Sequence, residues 1–269
     1  MKNGTFSEEH RKFLLSRKKK DAFVVFFRIF LLAALLGIWE LLAVFQKINP
    51  FITSSPSRII RTLKELYLAK TLFSHVGVTL YETLIGFLIA AGGGCLIALT
   101  LWWSESVRRV AEPYLVVINA LPKIALGPLL IIWFGTGTKA IVSMTVLVGI
   151  VVATMNMLSG FTATDENKLL LLRSLGASKI QILTKLVVPS ALPSFISMLK
   201  ISVGMAWIGS IMGEYIVSKA GIGYLIVYGG QVFKLDLVMA SVFVLCVLAA
   251  GMYAIVAALE KIFLKNGKN

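Results

Sequence analysis

Leu172-Arg173-Ser174-Leu175-Gly176-Ala177-Ser178-Lys179 is a polar island in an apolar chain, followed at a short distance by Pro189 and Pro193. Leu169, Leu170, Leu172 and Leu175 before the glycine, with Ile180 and Leu183 after it, recur at helical spacing, while Arg173, Lys179 and Lys185 supply a wet face. Asp165-Glu166-Asn167 puts acids where a helix begins, at the positive end of its dipole. Gly176 breaks or bends that helix, Ala177-Ser178 restarts a second one, and Pro189 marks the return to apolar sequence. Residues 160–189 are thus predicted as a helix pair hinged at a glycine. The residues alone allow two readings of it: an amphipathic loop lying on a bilayer, or a knob gripped by a partner.

The flanks of the island decide the class. The chain has 269 residues, of which 58% are hydrophobic and only 15% charged, against roughly a quarter charged in soluble domains. A helix needs about 20 apolar residues to cross a bilayer. Six segments reach that length: about 23–45, 76–102, 114–134, 140–158, 192–217 and 235–259. Pro122 and Pro128 interrupt the third. The expected fold is therefore an all-α membrane protein of six transmembrane helices. A further short amphipathic helix is predicted after the first span, from Ile59, Ile60, Leu63 and Leu66.

Basic residues set the expected orientation, since Lys and Arg accumulate on the cytoplasmic side. Seventeen fall on the side holding the two termini, the second-to-third connection with Arg108 and Arg109, and the fourth-to-fifth connection. Eight fall on the other side. Both termini and the Gly176 island are thereby predicted to be cytoplasmic. Residues 1–22 read as a basic cytoplasmic tail rather than a cleavable signal, residues 23–262 as the transmembrane domain, and residues 263–269 as a second cytoplasmic tail.

Several function classes are disfavoured. The net charge of +14 lies at the ends of apolar segments, without an aromatic-interleaved basic patch, which argues against nucleic acid. Cys95 and Cys246 sit inside apolar runs, and His10 and His75 are far apart, so no disulfide or metal site is expected. Gly135-Thr136-Gly137-Thr138-Lys139 echoes a phosphate loop with the wrong spacing and reads as a turn. No His, Asp or Ser constellation in the spans suggests an embedded enzyme.

The run from Gly176 to Leu186-Val187-Val188-Pro189 resembles the cytoplasmic coupling loop of ABC importer permeases, whose usual form is Glu-Ala-Ala, three residues, Gly, nine residues, then Ile-x-Leu-Pro. Asn119-Ala120-Leu121-Pro122-Lys123-Ile124 through Gly135 is similar to the third span of the nitrate/sulfonate/taurine branch. Leu199-Lys200-Ile201 through Ala206-Trp207 to Glu214, then Gly221-Ile222-Gly223-Tyr224-Leu225, resembles that branch's fifth span and the outer loop after it. Two departures stand out: Leu170-Leu171-Leu172 replaces Glu-Ala-Ala, and Glu82 stands where the branch often has arginine.

The resemblance implies a type I ABC importer permease in a bacterial plasma membrane, bound to a cytoplasmic ABC ATPase dimer, to a second and identical permease, and to an extracytoplasmic solute-binding protein. It implies no cofactor on this chain, ATP and Mg being held by the ATPase, and a small organic or inorganic anion such as a sulfonate, taurine or nitrate as solute. Arg173, Ser174, Leu175, Gly176, Ala177, Ser178, Lys179 and Pro189 would meet or shape the ATPase contact. Asn119, Pro122, Lys123, Pro128, Trp207 and Glu214 are candidates for the translocation pathway, since polar or helix-breaking groups at membrane depth require a cavity or a partner. An ion-driven secondary transporter is the competing reading, weakened by the scarcity of paired intramembrane carboxylates.

Overall fold

A computed structural model describes residues 8–266, and every regular element among them is helical. The chain divides into two compact units, residues 1–62 and 63–269. In the first, α1 (Glu8–Val44) carries a membrane-crossing stretch at Ala22–Val44 and extends as helix through most of the expected amino-terminal tail. Residues 1–7 of that tail, and residues 267–269 of the carboxy-terminal one, lie outside the described residues. The single turn α2 (Pro50–Thr53) starts where the Asn49 side chain accepts the Phe51 amide at 3.0 Å. The expected amphipathic helix is α3 (Pro56–Leu68), and Glu40 near the end of α1 accepts its Ser57 amide at 2.9 Å.

The second unit is built around α7 (Thr138–Thr162), with α4 (Leu72–Trp103) packed along one side and α11 (Leu192–Val217) along the other. Lipid is as apolar as leucine, so close backbone approach rather than water exclusion must hold such helices together. Gly209 and Gly213 supply it: a β-carbon there would lie 2.5 Å from Thr145 Cα and 2.9 Å from Ile141 Cα. Gly94 does the same against Ala153, whereas Gly92 meets nothing, so only part of the Gly92-Gly93-Gly94 triplet is a contact. The Gly209–Gly213 pair is thus used inside the subunit, against α7. Phe87, Trp207 and Met252 form a second apolar contact, joining α4 and α11 to α13 (Leu235–Asn266). Lys200 and Glu260 link α11 to α13 through an ion pair of 2.6 Å.

The structure revises the expected third span. α5 (Glu105–Ala120) starts at Ser104, whose hydroxyl accepts the Val107 amide, so Arg108 and Arg109 lie on helix rather than in a connection. It ends at Leu121, which takes an extended conformation because Pro122 follows. A 3-10 turn at Lys123–Leu126 leads to α6 (Gly127–Phe134), with Pro128 in its first turn, where a missing amide hydrogen costs nothing. The two halves meet at 87°. Among the described residues, five continuous helices are long and apolar enough to cross a bilayer, and this bent pair stands in place of a sixth.

Candidate functional site

Between α7 and α11 the chain folds into an elbow. Asp165 accepts the Asn167 amide at 2.9 Å and opens α8 (Glu166–Ser174). Gly176, at φ +78°, then closes it: its amide donates to the Arg173 carbonyl and the Ala177 amide to that of Leu172, each at 3.0 Å. This is the Schellman arrangement, in which a left-handed glycine reverses the chain and satisfies the last helical carbonyls. Leu172 and Ala177 face the same apolar cluster, as that arrangement favours.

The second helix starts one residue later. Ser178 Oγ accepts the Gln181 amide at 3.3 Å, and Gln181 Oε1 accepts the Ser178 amide at 2.8 Å, a reciprocal capping box at the head of α9 (Lys179–Ile182). A π turn at Leu183–Val187 and the short α10 (Val188–Ser190) then carry the helical course into α11. The π turn ends two residues before Pro189, whose missing amide hydrogen cannot continue an ordinary α ladder. Pro193 falls in the first turn of α11. The prolines therefore sit at the joints of the second arm, which reaches the membrane span as successive helical pieces with a turn at Ala191.

One side of the elbow is core. Ile182 and Val187 are buried with Ala98 and Leu101 of α4 and Met157 and Phe161 of α7, and Leu169, Leu172 and Leu183 pack against them. The other side is unusually greasy for an exposed surface: Leu170, Leu171, Leu175 and Ile180 are each at least 60% exposed. A recess of about 750 Å³ lies beside it, lined among others by Trp102, Glu105, Arg108, Glu166, Arg173 and Lys179. Sequence reasoning missed the Trp102-Trp103-Ser104 corner at the end of α4, although adjacent tryptophans ahead of a helix-capping serine were a visible signal. The Lys179 ammonium donates to the Trp103 carbonyl and sits 5.9 and 5.1 Å from the Trp102 and Trp103 ring centroids.

The pathway candidates separate into two groups. Lys123 Nζ donates to the Asn119 carbonyl at 2.9 Å and approaches its side-chain oxygen at 3.5 Å, so the two residues meet between Pro122 and the end of α5. Trp207 and Glu214 are instead buried, 7% and 1% exposed. Glu214 accepts the amides of Gly223 at 2.5 Å and Tyr224 at 3.4 Å, at the start of α12 (Ile222–Gln231), so its carboxylate terminates a neighbouring helix inside the unit rather than facing an open path. Gly221, at φ +111°, leaves the room: a β-carbon there would lie 2.4 Å from Glu214 Oε2. The same turn is tied to α4 by the Gly221 amide on His75 Nδ1 at 3.0 Å and the Ile222 amide on Thr79 Oγ1 at 2.8 Å. Glu82 is also buried, at 1% exposure. Asn156 donates back to the Val152 carbonyl of its own helix.

Residues 90–265 match the family model described as the binding-protein-dependent transport system inner membrane component. The chain is 34% identical over 232 residues to the formylaminopyrimidine transport permease protein ThiX of Halalkalibacterium halodurans, covering 86% of this chain and 91% of that one. It is 28% identical over 233 residues to the putative aliphatic sulfonates transport permease protein SsuC of Bacillus subtilis, covering 87% and 84%. Its fold is like that of a chain in the crystal structure of a bacterial alginate ABC transporter in complex with alginate pentasaccharide-bound periplasmic protein. There the TM-score is 0.63 at 14% identity, over 96% of this chain and 98% of that one.

Proposed function

Because this chain belongs to the binding-protein-dependent transport system inner membrane components and is the permease subunit of an ABC importer, a transport component rather than an enzyme, we propose that it imports a small anion under the drive of a separate ATPase gripping the Gly176 elbow. The observation that carries the proposal is the elbow's two-sided character. Its inner face is continuous with the packed ends of α4 and α7. Its outer face exposes Leu170, Leu171, Leu175 and Ile180 on a backbone locked by a Schellman turn and a capping box. Exposed apolar groups on a rigid protrusion suit a protein groove better than water. Where relatives of the branch carry Glu-Ala-Ala, the contact here is apolar.

Both termini and the elbow lie in the cytoplasm in this reading, as the excess of basic residues on that side favours. ATP and magnesium belong to the ATPase. A second, identical permease completes the membrane part, and an extracytoplasmic receptor delivers the solute. The solute is a small organic or inorganic anion of the sulfonate, taurine or nitrate kind, supported by the likeness to the sulfonate permease and by the Lys123 ammonium at the break of the α5–α6 pair. Asn119, Pro122, Lys123 and Pro128 form the pathway segment, because backbone freed at membrane depth is tolerated where it borders a watery cavity.

The test is reconstitution of the chain with its ATPase and receptor in vesicles, with taurine, an alkanesulfonate, nitrate and formylaminopyrimidine as probes. ATP-dependent uptake of one of the anions, lost when the ATPase is omitted, is the expected result. Uptake driven by an ion gradient without ATPase would overturn the assignment of the motor, and uptake of the pyrimidine alone would overturn the anion.

A further inference from the structure

Lys179 sends its charged head out of the elbow altogether. Its side chain reaches seventy-six positions back in sequence, to the last carbonyl of α4. Carbonyls at a helix carboxy-terminus lack an intrahelical donor and carry the negative end of the dipole, so an ammonium there is held by both hydrogen bond and charge. The two indole faces of Trp102 and Trp103 add the attraction of a cation for aromatic rings.

The other half of the junction is equally defined. Trp103 is followed directly by Ser104, which caps the amino-terminus of α5, and Glu105 in the first turn pairs with Arg109 at 2.6 Å. The corner under Lys179 is therefore the starting point of the helix that ends at Asn119, Pro122 and Lys123. Lys179 itself is the first residue of α9, immediately after the Schellman turn and inside the capping box, so its backbone is fixed to the elbow. Lys179 thus adds a polar tie between the elbow and the start of α5, beside the apolar one that Ala111 and Leu115 of α5 make with the elbow's core cluster.

We propose that Lys179 is a positioning residue that transmits elbow movement to α5, by clamping the Trp102-Trp103 corner to the first turn of α9. This rests on the reading of the elbow as the ATPase contact. The exposed leucines proposed to meet the ATPase, Leu170, Leu171 and Leu175, precede Gly176, whereas the Lys179 ammonium turns away to Trp103. Its ammonium bonds outside the core cluster in which Ile182, Val187 and Leu101 pack.

The experiment uses the permease–ATPase complex in nanodiscs, with Cys95 and Cys246 replaced by alanine. A reporter cysteine at Val110, an exposed position on α5 ahead of the expected span, is titrated with a maleimide before and after trapping with MgATP and vanadate. A second variant carries a cysteine at Leu175 for cross-linking to the ATPase. In the unsubstituted background, trapping is expected to change the Val110 labelling rate at least about fivefold, the lower end of ordinary coupling between sites. Lys179→Met is expected to abolish that change while the Leu175 cross-link forms normally, and Lys179→Arg to restore it. A Lys179→Met complex whose α5 labelling still responds overturns the clamp, as does one that loses the Leu175 cross-link. Absence of the cross-link in the Lys179 parent would instead overturn the elbow reading beneath it.

Discussion

Replacing Gly176 with valine isolates what the turn contributes. A β-carbon at this position meets nothing within 4 Å, so the substitution creates no clash. What it does change is the backbone: φ is +78°, a region that disfavours residues with a β-carbon by roughly 1–2 kcal/mol. The folded elbow then loses about five- to thirtyfold in its population over the opened one. Hydrogen exchange read by mass spectrometry on peptides covering residues 170–181 measures this directly, because the amides of residues 176 and 177 are the two that close the turn. Protection there should fall about tenfold, while peptides from α7, which do not touch residue 176, keep theirs. Asparagine tolerates the left-handed region, so Gly176→Asn should fall much less, and Gly176→Pro should fall most, losing both the dihedral and the amide that donates to Arg173. Equal protection in Gly176→Val and the parent, or greater loss in Gly176→Asn than in Gly176→Val, would refute the reasoning.

The exposed leucines should separate docking from folding. Leu171→Asp or Leu175→Asp is expected to leave the thermal midpoint of the detergent-solubilised permease nearly unchanged, within the ~0.5 kcal/mol usual at exposed sites, yet abolish co-purification with the ATPase. Gly209→Leu should fail to give a folded permease, because its side chain would enter the α7 backbone at Thr145. Gly92→Ala, whose β-carbon meets nothing within 4 Å, should behave as the parent in fluorescence-detected size exclusion. Glu214→Ala leaves the buried Gly223 and Tyr224 amides without their acceptor and should cost about 1–3 kcal/mol, lowering the thermal midpoint. Glu214→Gln keeps an acceptor oxygen and should lower it less.

Local chemistry explains what was legible beforehand. The elbow could be read because each of its devices is local: the acid-rich start at Asp165-Glu166, the glycine at 176, and Ala177-Ser178 restarting the second helix, to which the structure adds Gln181 as partner of the cap. Pro122 and Pro128 likewise announced a break, since proline acts on its own neighbours. The 87° angle between α5 and α6 was not legible, because it depends on how α6 seats against α7. The partners of Glu214 were hidden for a related reason. An isolated carboxylate in an apolar span reads as a pathway group until its partners are known, and those are backbone amides nine and ten residues onward. The signal was present in Gly221 and Gly223, whose missing side chains make the space for that carboxylate. Lys179 lies at the far limit: nothing in the local sequence links it to Trp103, and only the packing of α9 against the end of α4 brings them together.

A photo-reactive residue in the elbow can map where an ATPase holds this permease. p-Benzoylphenylalanine placed at Leu175, 73% exposed, is irradiated in intact membranes, with the same residue at Lys219, beyond the carboxy-terminal end of α11, as the comparison. An adduct with an ATP-binding subunit is expected from position 175 and none from position 219. An ATPase adduct from position 219, or none from position 175, would contradict the elbow as the ATPase contact.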